Sequence, residues 1–207
     1  MIGSSLPRLQ IIVLAAGFSA RLGKPKALAR VHGSSLLDRT LGVLAPFATS
    51  SKIIVVIPPG ANRYRIGPYA NATAFVANPQ RAGGLSSSVR CGIARARYSA
   101  AALLLPVDLV QLERRDIARL ISRWRGARRS VVARRVRGQA GTPLILPRSL
   151  YPLALQLTGD QGLRELVRRL AKNHVLLADL PSAEADVDTA RDLDRARRHI
   201  RPTRPRF

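Results

Sequence analysis

Cysteine is almost absent from this sequence, which has only Cys91. A single thiol excludes a disulfide framework and a cysteine-based metal site, and we interpret Cys91 as a small buried side chain. The three histidines, His32, His174 and His199, share no metal-ligand spacing. We therefore interpret them as structural or surface residues.

Long hydrophobic runs are also lacking. The longest, Gln10–Ala16 and Ala100–Val107, have the length of a strand, whereas a membrane-spanning helix needs about 18 or more apolar residues. The opening stretch, MIGSSLPRLQ, has no charged segment followed by a long apolar core and so does not resemble a signal peptide. We expect a soluble, cytoplasmic protein without a membrane partner.

Acidic residues are scarce: 12 Asp and Glu stand against 35 Lys and Arg, which gives a formal net charge of +23. Such a charge suggests anionic partners, nucleic acid among them. However, the arginines are scattered along the whole chain, and aromatic residues make up only 4% of it. We therefore do not expect nucleic acid as the main partner, although the charge can raise the local concentration of a phosphorylated substrate.

The apolar residues form short β-branched runs that alternate with longer amphipathic segments. Continuous apolar runs are typical of strands that helices cover on both faces. The predicted strands are Leu9–Leu14, Lys52–Ile57, Ala72–Val76, Ala101–Pro106, Ser130–Val136, Thr142–Leu146 and His174–Ala178. The predicted helices are Ser35–Ala45, Ser86–Arg97, Arg114–Trp124, Gly162–Lys172 and Thr189–Ile200. This order predicts an α/β layered domain with a largely parallel sheet; residues 1–207 are expected to form one domain with a flexible tail at 201–207.

The first predicted strand leads into a glycine-containing loop, AAGFSARLGKPK. In open α/β sheets, ligands bind beyond the carboxyl ends of the strands. The glycines let successive N–H groups converge on phosphate oxygens, and Arg21, Lys24 and Lys26 add the charge that a triphosphate needs. The spacing is not that of a Walker loop. An ordinary glycine turn would explain the glycines but not the three cations, so the loop predicts a polyphosphate site.

Isolated carboxylates mark two further segments. Asp108 follows a predicted buried strand and is the sole acid between Asp38 and Glu113. Magnesium takes oxygen ligands, usually one or two carboxylates together with substrate phosphates, and an aspartate at the end of a strand suits that role. Asp186 and Asp188, before the last predicted helix, could supply a second carboxylate. Alternatively, Asp108 could cap a turn or helix, and Asp186 or Asp188 could cap the last helix.

Ser86–Ser88 lie at a predicted helix start. Free N–H groups and hydroxyls at such a place can bind the base or ribose of a nucleotide. Simple capping of the helix is the alternative, and the two roles are compatible. Asp160 also matches an ordinary N-cap.

Five segments, in this order, resemble the signatures of the molybdenum cofactor nucleotidyltransferases, a group of MobA-like NTP transferases. Together they run nearly from end to end of the chain. They are Leu14–Leu28 (LAAGFSARLGKPKAL), Asn78–Gly92 (NP…GLSSSVRCG), Leu103–Asp108, Gly141–Pro143 with Gly159–Arg164 (GTP and GDQGLR), and Asp186–Leu193 (DVDTARDL). The resemblance implies a three-layer, Rossmann-like nucleotidyltransferase fold with a mostly parallel mixed sheet.

The resemblance also implies a reaction: a nucleoside monophosphate moves from an NTP to a phosphate-bearing acceptor, and pyrophosphate leaves. The acceptor phosphate is already anionic, so no general base is required. The implied ligands of Mg²⁺ (or Mn²⁺) are Asp108 and Asp188, and the implied catalytic residues are Arg21, Lys26 and Asp108. The implied nucleotide-binding residues are Leu14, Ala15, Ala16, Gly17, Ser19, Arg21, Lys26, Asn78, Gly84, Ser87 and Ser88. The implied acceptor-binding residues are Thr142, Asp160 and Arg164.

The LAAG and NP…GLSSS segments resemble those of family members that use CTP, whereas LAGG is more typical of GTP users. This implies a molybdenum cofactor cytidylyltransferase with molybdopterin as acceptor and a xanthine-dehydrogenase-type molybdoenzyme as client. Two motifs depart from the pattern, because Asp108 lies in PVDLV rather than GDxP and Thr142 replaces the histidine of GHP. The alternatives are a nucleotidyltransferase with another NTP or a sugar or alcohol phosphate acceptor, and a basic binding protein without catalysis.

Overall fold

A computed structural model describes residues 8–49, 51–65, 67–183 and 186–200. The predicted tail at 201–207 lies outside the described residues. In the part of the chain that is described, no helix has both the length and the apolar character needed to cross a membrane.

A mixed sheet of seven strands forms the centre of the described structure. The sheet strands are β1 (Leu9–Leu14), β4 (Ile53–Ile57), β5 (Thr73–Ala77), β6 (Ala101–Pro106), β7 (Val131–Val136), β8 (Gln139–Pro147) and β9 (Val175–Ala178). They lie in the order β5-β4-β1-β6-β8-β7-β9. Only β8 runs antiparallel to its neighbours, β6 and β7, whereas the remaining neighbours pair in parallel. A separate two-stranded hairpin consists of β2 (Arg30–Val31) and β3 (Ser34–Ser35).

Helices cover both faces of this sheet and bury an apolar layer on each. The α-helices are α1 (Leu36–Leu44), α2 (Leu85–Arg95), α3 (Arg114–Gly126), α4 (Tyr151–Leu155), α5 (Leu163–Arg168) and α6 (Ala190–His199). Ile11 and Val13 of β1 join the core that contains α1, α3 and α6, while Ile12 joins the core with α2, α4 and α5. Because successive side chains of a strand point to opposite faces, one apolar run supplies both layers.

The architecture confirms the predicted three-layer α/β fold and all seven predicted sheet strands. The β2–β3 hairpin and α4 were not predicted, because elements of two and five residues are too short to show a period. The helix predicted over Gly162–Lys172 ends at Arg168, since a 3₁₀ turn at Lys172–His174 leads the chain into β9. Cys91, expected to be buried, is half-buried, and burial raises the pKa of its thiol.

Candidate functional site

The loop after β1 lies at the carboxyl ends of β1 and β6 and is tethered at both of its ends. The Ala15 N–H donates to the Val56 carbonyl at 2.9 Å. Further on, Ser19 adopts a positive φ of 55°, and its hydroxyl oxygen accepts from the Lys26 N–H at 3.0 Å. These bonds curl the chain over the strand ends, where ligands bind in open α/β sheets.

Between its tethers, the loop leaves a run of backbone donors unused. Within the described residues, no N–H group from Ala16 to Arg21 donates to a protein acceptor. Backbone donors are rarely left unpaired in folded proteins unless water or a ligand accepts from them. Successive N–H groups of this kind form concave sites that bind phosphate oxygens. We refer to residues 16–21 as the phosphate loop.

One ammonium and two carboxylates meet beside the phosphate loop. Lys26 Nζ lies 2.8 Å from Asp108 Oδ2 and 2.8 Å from Asp188 Oδ1, and Arg21 contacts Asp188 Oδ2 at 3.1 Å. Burial opposes the charge of Lys26, but the two carboxylates outweigh it and raise the pKa of the ammonium above its usual value. The hydrogen bond from Lys26, with the nearby positive charges, lowers the pKa of Asp188. Lys26 and Asp188 are therefore both charged at neutral pH.

The two carboxylates are far apart in sequence, and backbone bonds bring them together. Leu109 and Asp186 form an isolated antiparallel bridge, and the Val187 N–H donates to the Asp108 carbonyl at 3.2 Å. Asp192 Oδ2 accepts from the Asp188 N–H at 3.2 Å. The N-cap of α6 is Thr189, so the alternative in which Asp186 or Asp188 caps this helix is wrong.

The carboxylate pair has the oxygen chemistry that a divalent cation prefers. Asp108 Oδ1 is buried and has no hydrogen-bond partner among the described residues, so it can offer its lone pairs to a cation. No group of three or more Asp, Glu, His or Cys side chains in the described ranges could form a complete metal site. Two carboxylate oxygens suit Mg²⁺, which usually takes its remaining ligands from water and substrate phosphates. The residues present therefore fit Asp108 and Asp188 as its ligands.

The predicted base-binding segment divides into cleft-lining and supporting residues. The Asn78 amide, which is 1% exposed, donates to the hydroxyl oxygens of Ser87 at 2.8 Å and Ser88 at 3.1 Å. The Ser87 hydroxyl in turn donates to the Gly84 carbonyl at 2.8 Å. Gly84 and Ser88 line the cleft, whereas Asn78 and Ser87 do not. The hydrogen bonds of Asn78 and Ser87 therefore hold Gly84 and Ser88 in place.

The cleft and a second cavity share a wall. The cleft measures about 360 Å³ and contains nine of the predicted nucleotide-binding residues, together with both predicted metal ligands: Leu14, Ala15, Ala16, Gly17, Ser19, Arg21, Lys26, Gly84, Ser88, Asp108 and Asp188. The adjoining cavity of about 340 Å³ contains all three predicted acceptor-binding residues, Thr142, Asp160 and Arg164. Asp160 borders both spaces. A larger cavity of about 700 Å³ between α1, α3 and α6 contains none of the predicted residues.

Gly84 lies where the start of α2 contacts the loop that contains Gly159 and Asp160. Its φ of 79° and ψ of −169° lie in a region that essentially only glycine adopts. A Cβ there would lie 2.4 Å from the Gly159 carbonyl oxygen and 2.6 Å from Asp160 Oδ1. The Ser86 N–H also donates to the Gly159 carbonyl at 3.2 Å, so the start of α2 and the loop with Asp160 are packed backbone to backbone.

Gly84→Ala is therefore expected to lower the free energy of unfolding by about 1–3 kcal/mol from backbone strain, before the steric clash is added. Urea denaturation measures this loss. Gly126→Ala is the matched control, because a Cβ at Gly126 meets nothing within 4 Å. Equal stabilities for the two variants would contradict the proposed close approach.

The sequence interpretation missed three side chains near the site. Phe18, 62% exposed, and Arg81 stack on each other at the mouth of the cleft. Arg134 of β7 is 7% exposed, lies 3.8 Å from Asp186 Oδ1 and donates to the Thr142 carbonyl at 3.5 Å. Only Phe18 could have been noticed in the sequence, because an aromatic residue is unusual inside a glycine loop. A buried arginine in a strand, such as Arg134, cannot be distinguished in sequence from an exposed one.

Comparisons with known proteins agree with this geometry. A family model described as the MobA-like NTP transferase domain matches residues 11–186. A probable molybdenum cofactor guanylyltransferase of Rhodopirellula baltica is 29% identical over 195 residues, which are 90% of each chain. A 2-C-methyl-D-erythritol 4-phosphate cytidylyltransferase of Deinococcus radiodurans is 43% identical over 58 residues, 28% of this chain and 24% of that protein. The crystal structure of Rv0371c from Mycobacterium tuberculosis superposes with a TM-score of 0.77 at 26% identity, covering 94% of this chain and all of the other.

Proposed function

The chain belongs to the MobA-like NTP transferase family and is a nucleotidyltransferase, and we propose that it moves CMP from CTP to the phosphate of molybdopterin with release of pyrophosphate. The observation that carries this proposal is the cluster of Lys26, Asp108 and Asp188 beside the free N–H groups of the phosphate loop. The proposal places the enzyme in the cytoplasm, where it would supply a client molybdoenzyme.

The reaction needs charge neutralisation and positioning more than proton transfer. An oxygen of the acceptor phosphate forms a bond to the α-phosphorus of the NTP while the bond to the β-phosphate oxygen breaks. The phosphate loop would hold the polyphosphate through its N–H groups, and Lys26 and Arg21 would neutralise the charge that develops. A divalent cation on Asp108 and Asp188, Mg²⁺ in this proposal, would polarise the phosphoryl oxygens.

The choice of CTP rests on the second alanine of the LAAG segment. Ala16 lines the cleft, and its methyl group stands where the LAGG segment that is more typical of GTP users has a glycine. Support also comes from the cytidylyltransferase relative. GTP is the second candidate, because the relative that matches nearly the whole chain is named a probable guanylyltransferase.

The choice of a bulky phosphorylated acceptor rests on the cavity that adjoins the cleft. Its volume of about 340 Å³ is close to that of the cleft itself. Arg164 offers a cation and Thr142 a hydroxyl on its walls, and both groups suit a phosphate. An acceptor seated there would reach the cleft past Asp160, which borders both spaces.

Pyrophosphate release with CTP, GTP, UTP or ATP, in the presence and absence of Mg²⁺ and of molybdopterin, tests this proposal. We expect release only with the acceptor and Mg²⁺ present, and fastest with CTP. If release is fastest with GTP, CTP is not the substrate and the proposed reaction is instead the transfer of GMP. Release with a sugar or alcohol phosphate but not with molybdopterin would overturn the acceptor, and no release under any condition would contradict the proposed transfer.

A further inference from the structure

An arginine and an aromatic ring meet across the mouth of the cleft. The guanidinium carbon of Arg81 lies 4.0 Å from the centroid of the Phe18 ring. Arg81 also donates a hydrogen bond to the Gly17 carbonyl at 3.4 Å. Both side chains line the cleft, and both also line a neighbouring cavity of about 400 Å³. The Arg81 side chain therefore contacts the phosphate loop at two neighbouring residues.

Phe18 and Arg81 belong to two separate segments, and each segment includes a short 3₁₀ turn. Phe18 lies in the phosphate loop, whose N–H groups from Ala16 to Arg21 find no acceptor among the described residues. Arg81 begins the 3₁₀ turn before α2, and the Gly83 and Gly84 N–H groups close that turn by donating to the Gln80 and Arg81 carbonyls. The contact between Phe18 and Arg81 thus joins the loop for phosphates to the segment that faces the base.

We propose that Phe18 and Arg81 form a clasp that holds the phosphate loop in its nucleotide-binding shape, which makes Arg81 a positioning residue for the NTP. This inference rests on the proposed function, in which an NTP lies along the loop. A loop whose N–H groups have no protein acceptor loses conformational freedom when it closes on a ligand, and that loss weakens binding unless the free protein is already ordered. The clasp orders the loop before the NTP arrives. Its cation also lies beside the donors that would meet the polyphosphate.

If Phe18 and Arg81 act together as a clasp, the effects of substituting the two residues should depend on each other. An exposed cation–π contact corresponds to about a two- to fivefold change in affinity. Phe18→Leu should therefore raise the KM for the NTP about two- to fivefold and leave kcat within about twofold. In an Arg81→Gln background, the same Phe18→Leu change should have no further effect, because the ring has lost its partner. Arg81→Lys should restore part of the affinity that Arg81→Gln loses.

The experiment measures KM and kcat for Mg·CTP and Mg·GTP with these variants in the full chain, and their thermal midpoints without nucleotide. Arg97 and Tyr98 provide the matched control, since Arg97 stacks on Tyr98 at 4.6 Å, Tyr98 is 71% exposed, and neither lines the cleft or its adjoining cavity. Tyr98→Leu should leave KM unchanged with or without Arg97→Gln.

Three outcomes would overturn the clasp. Independent effects of Phe18→Leu and Arg81→Gln would show that the residues act separately. An unchanged KM in both single variants, while the wild type remains active, would show that the contact does not order the loop. If the wild type turns over neither Mg·CTP nor Mg·GTP in the presence of the acceptor, the proposed function fails and the clasp with it.

Discussion

Asp108→Asn is expected to lower the rate of nucleotidyl transfer by about 10²–10³ while leaving the fold intact, the loss typical of one preorganised electrostatic group. The substitution preserves the shape of the side chain and removes its charge. One oxygen of Asp108 accepts from Lys26 at 2.8 Å, and the other is buried without a hydrogen-bond partner in the described structure. A neutral amide there is a much weaker ligand for a divalent cation than a carboxylate, and it no longer balances the Lys26 ammonium.

Transfer rates over a range of Mg²⁺ concentrations, with circular dichroism to check folding, measure this effect. Asp179→Asn is the matched control, because Asp179 also pairs with a cation at 2.8 Å, on Arg135, but is 71% exposed and lies outside the cleft. Exposed pairs of this kind contribute little, so the control should keep nearly full activity. Near-wild-type transfer by Asp108→Asn would remove Asp108 from the catalytic site.

The strands could be predicted where both of their faces are buried, because such strands consist of a continuous run of apolar residues. In β4, the five residues IIVVI are all buried, and the sequence alone shows that run. By contrast, β8 extends from Gln139 to Pro147, beyond the predicted Thr142–Leu146, because its first residues pair with β7 in a hairpin. Pairing between backbones does not require apolar side chains, so the composition of Gln139 and its neighbours gave no sign of it.

The site could be predicted in part for a similar reason. The phosphate loop and Asp108 follow strands, and strand ends mark the ligand edge of an α/β sheet. The clasp depends on Phe18 and Arg81 meeting from separate segments, and such long-range contacts leave no local pattern. Asn78 shows why a supporting residue can be mistaken for a binding residue. Its buried amide donates to Ser87 and Ser88 and does not line the cleft. In sequence, it cannot be distinguished from an amide that contacts the nucleotide.

Lys26→Ala is expected to lower the rate of nucleotidyl transfer and to raise the affinity of the protein for a divalent cation. Transfer should fall by about 10²–10³, because the charge that would neutralise the polyphosphate is gone. Mn²⁺, used as a spectroscopic probe, should bind the nucleotide-free protein more tightly, on the order of tenfold. The reason is that Lys26 Nζ lies 2.8 Å from both Asp108 and Asp188 and so competes with a cation for the same oxygens.

Titration with Mn²⁺ followed by electron paramagnetic resonance separates these effects from a loss of fold, since an unfolded variant would not gain affinity. Lys52→Ala is the control, because Lys52 is exposed and lies outside the cleft, and both its transfer rate and its Mn²⁺ affinity should match those of the wild type. The raised pKa of Lys26 keeps its ammonium charged throughout the neutral range, so the competition should persist at any neutral pH. Unchanged Mn²⁺ affinity in Lys26→Ala would mean that the cation binds elsewhere. An undiminished transfer rate would mean that Lys26 only forms ion pairs and has no part in catalysis.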